Sequence, residues 1–224
     1  MSELRVKTHI AQTMEDFEKV SKLRYKVYIE EQGKAYKEAN HTNQSFSDLL
    51  DQNAILVMVE KQEHLEGTVR LNYFSCPATF SHYADMFEYQ KFSNYPLNTI
   101  GVCSRLAVTT NCRDGQVREA LFNAIYEIGY KKGIRLCFVA CSPVLLRLFR
   151  AYGFREYVTP FHDPVVGKLR RLALVVDDLT HLKQCNSPFY AIAKNLGISE
   201  ELRPSISELF LEFRTSQHVN AHHD

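Results

Sequence analysis

Apolar and polar positions follow two periods along the chain, one typical of helices and one typical of strands. Helical spacing of apolar residues predicts helices at 14–31, 81–92, 116–132 and 143–152. Short apolar and β-branched runs predict strands at 4–10, 54–60, 67–74, 102–108, 136–141, 154–160 and 169–177. This order favours a mixed central sheet with helices on both faces and parallel strands beside helix 116–132. Further helical pieces are predicted across 178–214.

The first predicted helix carries an arginine on its apolar side. Val20, Val27 and Tyr28 mark the apolar stripe, and Arg24 lies four residues after Val20 and three before Val27. A guanidinium that faces a core is costly unless it is paired. The pattern therefore predicts a carboxylate partner elsewhere in the chain.

Composition narrows the class of protein. With 224 residues, of which 45% are hydrophobic, the chain suits one large domain, or one domain with an extension. Its net charge of +1 gives no general attraction to nucleic acid, so no such partner is expected. No apolar run approaches the roughly 20 residues of a membrane span, and no signal peptide is evident, so we expect a cytoplasmic protein without a transmembrane segment. Six cysteines without a C-x-x-C pair favour free thiols, and no metal site is predicted.

The order of elements resembles the GNAT acyltransferase fold, most clearly at "LFRAYGF", residues 148–154. A narrower resemblance lies in the series "LRYKVYIEEQGK", "SDLLDQ", "GTVRL" and "CSRLAV". That series is similar to acyl-homoserine-lactone synthases and, more closely, to long-chain N-acyl amino acid synthases. The resemblance implies an α/β (α+β) fold, with a GNAT-like mixed central sheet flanked by helices in residues 1–177. Residues 178–224 are then expected to form a C-terminal helical extension with a flexible, histidine-containing tail.

The same resemblance implicates a set of charged and polar residues at the acceptor side of the site. They are Arg24, Asp48, Asp51, Arg70, Ser104 and Arg105. Three arginines in apolar surroundings need carboxylates nearby, and two aspartates three residues apart in a helical turn point to one side. One positive charge is left over, which suits a substrate carboxylate. In a purely structural interpretation, the cluster only fastens the first helix and the loop to the sheet.

A second set of residues is expected to bind the acyl thioester. The amides of Leu106, Ala107 and Val108 are expected to pair with the pantetheine arm and to polarise the thioester carbonyl.

The phosphate-binding loop of GNAT proteins, typically R-G-x-G-x-G/A, corresponds to "RDGQVREAL" at 113–121, which has one glycine. Arg113, Gly115 and Arg118 suit a single phosphopantetheine phosphate better than the diphosphate of coenzyme A. Acyl carrier protein is therefore favoured as the donor over coenzyme A, with no tightly bound cofactor. Two surface arginines at a helix start, without such a role, are the plainer interpretation.

The chain also departs from the families that it resembles. Lactone synthases carry a glutamate at the position of Val102, and an aromatic residue where Lys34 follows Gly33. Both differences favour an amine other than homoserine. The tyrosine that acts as the usual GNAT acid is replaced by Phe149, and Tyr152 is displaced from that position by three residues, so no acid is assigned.

The sequence therefore predicts an N-acyltransferase that moves a long fatty acyl group from acyl carrier protein to an amino acid or similar small amine. Asp48 or Asp51, acting through a water molecule, is the best available base.

The aromatic segment 79–95 suits a channel for the acyl chain, or ordinary core. The C-terminal helices are expected to contact the acyl chain or a second copy in a homodimer. The alternatives are an acyl-homoserine-lactone synthase, an acetyl-coenzyme A-dependent N-acetyltransferase and a catalytically silent acyl- or partner-binding domain.

Overall fold

An eight-stranded sheet forms the centre of the molecule, as a computed structural model describes it for residues 6–112, 115–200, 208–210 and 213. The strands are β1 (Val6–Ile10), β2 (Ala39–Asn40), β3 (Ser45–Phe46), β4 (Ile55–Lys61), β5 (His64–Tyr73), β6 (Ile100–Val108), β7 (Leu136–Cys141), β8 (Arg155–Glu156), β9 (Phe161–Asp163) and β10 (Gly167–Val175). The α-helices are α1 (Met14–Arg24), α2 (Pro77–Tyr83), α3 (Gln116–Lys131), α4 (Leu146–Ala151), α5 (Leu179–Gln184) and α6 (Pro188–Asn195). None of the helices in these ranges is long and apolar enough to cross a membrane.

The sheet is mixed, as the order of elements predicts. Its strands follow the path β1-β4-β5-β6-β7-β10-β8, with β9 added beside β10, while β2 and β3 pair separately. Strands β6 and β7 are parallel, and α3 makes the crossover between them. The other pairs are antiparallel. The predicted GNAT-like fold with helices flanking a mixed sheet is confirmed.

The first helix has the predicted extent but changes type part-way. Thr13 accepts a hydrogen bond from the Asp16 amide, and the Asp16 carboxylate accepts one from the Thr13 amide, so the predicted N-terminal signature is a full capping box. The α-helix ends at Arg24, and a wider π-helical stretch, Tyr25–Glu31, follows directly. Wide turns of this kind are frequent at functional sites.

The predicted helix at 81–92 is wrong. The α-helix of this region, α2, begins earlier, at Pro77, and ends at Tyr83, and short 3₁₀ turns follow at Tyr89–Phe92 and Leu97–Thr99. Glu88 takes a left-handed conformation with φ of 46°, which interrupts any continuous helix. Phe87 and Phe92 are instead buried from separate turns against Phe138 of β7.

Each face of the sheet has its own hydrophobic core. The aromatic segment after β5 covers one face, with Phe74, Phe87 and Phe138 at its centre. Helices α3, α4 and α6 cover the other, where the Tyr126 and Phe189 rings stack 4.3 Å apart. Helices α5 and α6, in the predicted extension, therefore pack on the sheet domain. Most of the predicted tail beyond residue 200 lies outside the described residues.

Candidate active site

The parallel strands β6 and β7 separate half-way along their length. They pair only from Ile100–Leu136 to Val102–Phe138, although β6 continues to Val108 and β7 to Cys141. A cavity of about 730 Å³ lies at this opening. Val102 and Cys103 both line it, and neighbouring strand residues point to opposite faces. The cavity therefore reaches both sides of the sheet.

The predicted acceptor-side residues form one network beside this opening. Arg24 Nη1 lies 2.8 Å from Asp51 Oδ1, and Arg70 Nη1 lies 2.5 Å from Asp48 Oδ1 and 3.1 Å from Asp51 Oδ1. Arg105 Nη2 lies 2.8 Å from Asp48 Oδ2. Arg70 Nε donates to Ser104 Oγ at 3.0 Å. The structure thus brings all six residues together.

The two carboxylates are held by the 3₁₀ turn Leu49–Asn53 as well as by the arginines. Asp48 caps the turn by accepting the Leu50 amide at 3.0 Å, and Asp51 accepts the Asp48 amide at 2.9 Å. Burial favours protonation of Asp48, but Arg70 and Arg105 outweigh it and lower the pKa of this carboxyl to about 2. Asp48 is therefore ionised and paired at neutral pH, which makes it a poor proton acceptor.

Arg24 lies at the closed end of the network. Its side chain is 1% exposed, and its Nε and Nη2 atoms have no hydrogen-bond partner among the described residues. Burial lowers the pKa of Arg24, and repulsion by Arg70 adds to this, while Asp51 opposes it. Arg24 does not line the cavity within the part of the chain described. Its visible contact is with Asp51, which in turn holds the turn.

Arg105 is the charged residue of this network that lines the cavity. It occupies a bulge between the Thr68–Ala107 and Arg70–Ser104 pairs, with φ of 54°. A left-handed conformation of this kind costs a non-glycine residue about 1–3 kcal/mol and is typical of functional sites. Asp48 holds the guanidinium, which also lies 4.9 Å from the Tyr36 ring centre and 4.6 Å from that of Phe46. The result is a fixed cation beside an apolar cavity.

The predicted thioester-binding residues are more scattered. Leu106 lines the cavity, and its carbonyl accepts a hydrogen bond from the Tyr28 hydroxyl at 2.9 Å. Ala107 is buried beneath Leu23 and Val27, and Val108 lies further along β6.

The loop before α3 is described only in part. Arg113 lies outside the described residues. Gly115 is the N-cap of α3 with φ of 112°, a conformation that suits glycine, and Arg118 follows in the first turn. Neither Gly115 nor Arg118 is among the residues that line the cavity. The described part of this loop therefore lies outside the cavity lining.

Two residues of α2 that the sequence does not predict also belong to the site. Tyr83 Oη lies 3.5 Å from Arg70 Nη2, and His82, which is exposed, lines the cavity beside it. Although part of the residue is exposed, partial desolvation of the ring lowers the pKa of His82; the charge of Asp48 raises it, and those of Arg70 and Arg105 lower it. The imidazole is therefore neutral at physiological pH. A histidine inside the aromatic segment 79–95 was the only sequence signal for it.

The positions where the sequence departs from the GNAT pattern also meet the cavity. Phe149 of α4 lines it without supplying a hydroxyl, and Val102 lines it without supplying a carboxylate. Tyr152 is buried, and burial raises its pKa. It is not among the lining residues. The described residues therefore offer no replacement acid at either position.

A sequence model of the family described as "N-acyl amino acid synthase FeeM" matches residues 19–175. The chain belongs to this family. It is thus an acyltransferase of the N-acyl amide-forming kind, and the predicted resemblance is confirmed. A search of curated proteins finds no match.

Solved structures agree on the fold. FeeM, an N-acyl amino acid synthase from uncultured soil microbes, is 16% identical with a TM-score of 0.65, covering 84% of this chain and 98% of its own. TofI, in a complex with an inhibitor and MTA, is 16% identical with a TM-score of 0.63, covering 84% and 99%. BjaI, a CoA-dependent acyl-homoserine lactone synthase with SAM and isopentyl-CoA, is 18% identical with a TM-score of 0.60, covering 92% and 100%.

Proposed function

We propose that this protein transfers a long-chain fatty acyl group from an acyl carrier protein thioester to the amine of an amino acid or similar small amine. The observation that carries this proposal is the cavity between β6 and β7. It joins a fixed cation, Arg105, to apolar walls from both cores. An acyl chain needs the apolar walls, and an amino acid carboxylate needs the cation.

The reaction follows from this arrangement. The thioester arm extends along β6 where β7 no longer pairs with it, and the acyl chain enters the cavity. The carboxylate of the acceptor faces Arg105, which holds the amine against the thioester carbon. The C–N bond forms as the C–S bond breaks, giving an amide and a free thiol.

His82 is the base that we assign in place of Asp48 or Asp51. It lines the cavity and is neutral at physiological pH, whereas the two aspartates are occupied by arginines and turn amides. It accepts a proton of the attacking amine. The thiolate leaves and takes up a proton, for which no acid is assigned.

The acyl donor is proposed to be a carrier-protein thioester rather than a coenzyme A thioester. The single glycine at 115 provides little room for backbone amides to surround a diphosphate, and this supports a phosphopantetheine arm on a carrier protein. BjaI binds isopentyl-CoA, so coenzyme A is the competing donor. We expect a carrier-protein thioester to give a higher kcat/KM than the coenzyme A thioester of the same chain. Equal or better turnover with coenzyme A would overturn the preference.

The acceptor is proposed to be an amino acid other than a homoserine precursor. Val102 lines the cavity at the position where lactone synthases carry a glutamate, so an acceptor ammonium finds no carboxylate there. This supports the N-acyl amino acid product over an acyl-homoserine lactone.

The test of the proposal is an amide-formation assay. The protein is incubated with a long-chain acyl carrier protein thioester, with and without a panel of amino acids, and with S-adenosylmethionine as the alternative acceptor. Thiol release and the mass of the product are both measured. Amine-dependent release with an N-acyl amino acid product is expected. Release that does not depend on any amine, or no release, would contradict the proposed transfer.

A further inference from the structure

Part of the cavity is lined by residues from several elements of the α3 face of the sheet. Phe122, Tyr126, Val139 and Phe149 contribute from within residues 19–175, the part that the family model matches. Phe189 lines the same cavity from α6, outside that part. Of the described residues beyond 176, it alone does so.

The position of Phe189 is set by two hydrogen bonds at the start of α6. Ser187 Oγ donates to the Tyr152 carbonyl at 2.9 Å, and the Phe189 amide donates to Ser187 Oγ at 3.2 Å. Pro188 occupies the first turn of the helix, a position that suits its fixed φ. The backbone of Phe189 is thereby tied to the end of α4.

The ring of Phe189 is also fixed by its neighbours. It is 1% exposed and lies 4.3 Å from the Tyr126 ring, almost parallel at 16°, and 4.9 Å from the Tyr152 ring. Leu182 and Ala193, both fully buried, belong to the same core cluster. A close-packed ring of this kind does not move aside readily for a ligand.

We infer that Phe189 is the end wall of the acyl-binding cavity and limits the length of the chain that the protein accepts. This inference rests on the proposed acyl-binding function of the cavity. An apolar pocket distinguishes chains that fit from chains one methylene too long by steric cost against its end wall. The C-terminal helix α6, rather than the matched family region alone, thus sets the specificity.

The test compares chain-length profiles of wild type and variants. Binding of a series of saturated acyl-pantetheine thioesters of increasing length is measured by calorimetry without amine, so that no turnover is needed. Phe189→Ala should extend the profile to longer chains. For chains just beyond the wild-type limit, affinity should rise about tenfold per methylene newly accommodated.

Two further variants keep this test decisive. Phe189→Leu retains apolar contacts, and its chain-length profile replaces that of Phe189→Ala if Phe189→Ala does not fold. Ile192→Ala is the matched control, because Ile192 lies on the same helix and packs on the same cluster but does not line the cavity. Its chain-length limit should equal that of wild type.

The outcomes separate this inference from the proposed function. A folded Phe189→Leu or Phe189→Ala protein with the wild-type length limit would overturn the role of Phe189. A shift equal to that of Ile192→Ala would do the same. Length-limited binding that shifts with Phe189, but without amide formation in the separate turnover assay, would support the end wall and contradict the acyl transfer alone.

Discussion

Arg24 and Arg105 belong to one ionic network but meet different surroundings. Arg24 is enclosed and contacts Asp51, whereas Arg105 lines the cavity over two aromatic rings. The charge left over after pairing three arginines with two aspartates is thus most available to a ligand at Arg105. Arg24 supports it indirectly through Asp51, the turn and Asp48.

Substitutions at these two arginines should therefore separate stability from acceptor binding. Arg24→Met keeps the apolar contacts of the stem but leaves Asp51 short of a partner, and we expect a loss of about 3–5 kcal/mol in the free energy of unfolding. Arg24→Lys keeps the charge and should retain near wild-type acceptor KM if it folds. Denaturant unfolding and acceptor kinetics measure the two effects. A folded Arg24→Lys protein with a strongly raised acceptor KM would place Arg24 in acceptor binding instead.

Arg105→Lys is the counterpart at the cavity wall. Lysine keeps the charge but lacks the planar fork that binds Asp48 and a carboxylate together, and it retains the left-handed backbone conformation. We expect the acceptor KM to rise by about tenfold or more, corresponding to about 1.5–3 kcal/mol for a lost hydrogen bond to a charged group. The KM for the acyl thioester should change little. Equal effects on both substrates would contradict a specific acceptor role.

If His82 is the base, the reaction rate should depend on the protonation of its imidazole. Because the pKa of this imidazole is lowered below its ordinary 6.5, its neutral form predominates above pH 6.5, and the imidazole becomes protonated as the pH falls through the lowered value. The wild-type rate should fall on that acidic side. His82→Gln should reduce kcat by about 10²-fold or more and remove this limb from the pH profile. His162→Gln on β9 is the control, and a retained limb in His82→Gln would exclude His82 as the base.

The ionic residues could be predicted from the sequence, whereas His82 could not. Charged residues stand out in apolar strands such as β5, where Arg70 follows Val69, and two aspartates in one turn supply visible partners. His82 meets the cavity because α2 begins at Pro77 and then breaks near Glu88. That placement depends on how separate aromatic turns pack, and local spacing does not determine it.

At the scale of elements, the Leu49–Asn53 turn joins α1 to the sheet through charge. The pKa of Asp48 falls from its ordinary 3.8 to about 2, because Arg70 and Arg105 outweigh the effect of burial. A depressed carboxyl pKa stabilises the folded state above the unfolded pKa, and the stabilisation is lost as the pH falls through the folded value. This contribution is about 2 kcal/mol.

Asp48→Asn isolates that contribution, since asparagine still caps the turn but carries no charge. We expect the variant to be less stable than wild type at pH 7, by an amount that shrinks as the pH is lowered from about 4 toward 2. Urea unfolding across this range measures it. A stability difference that stays constant with pH would show that the charge of Asp48 is not responsible.

The longer strands of the sheet and the long helix α3 agree best with the sequence prediction, whereas the strand predicted at 154–160 is wrong in extent, because only Arg155–Glu156 pair with β10. Each of the elements that agree has a continuous apolar pattern with one period, and α3 spans Gln116–Lys131 where 116–132 was expected. The π-helical stretch Tyr25–Glu31 and the breaks after α2 were missed. Both depend on tertiary packing of single side chains, such as Tyr28 reaching the Leu106 carbonyl, which overrides the local period.

At the scale of the whole molecule, the two hydrophobic cores lie on opposite faces of one sheet, and the cavity lies where β6 and β7 separate within it. Pairing of β6 with β7 ends at Val102 and Phe138, so the rest of β6 does not pair with β7. The two cores then supply walls on both sides of the opening. The resemblance to acyltransferases could be drawn from the order of the elements, but the depth of the cavity depends on α6, which lies beyond the matched region.

Helices α5 and α6 cover part of the sheet domain, so their removal should affect both the fold and the cavity. Truncation after Asp178 removes α5 and α6, including Leu182, Phe189 and Ala193, which are at most 1% exposed. It therefore uncovers the apolar surface of α3 around Tyr126, and a patch of this kind promotes aggregation. We expect the truncated protein to be poorly soluble, or to melt well below wild type and lose chain-length selection. Thermal melting, light scattering and the acyl-binding profile measure these effects, and light scattering of the intact chain also tests the predicted homodimer. A truncated protein that stays monodisperse with full activity would show that α5 and α6 serve neither the fold nor the acyl chain.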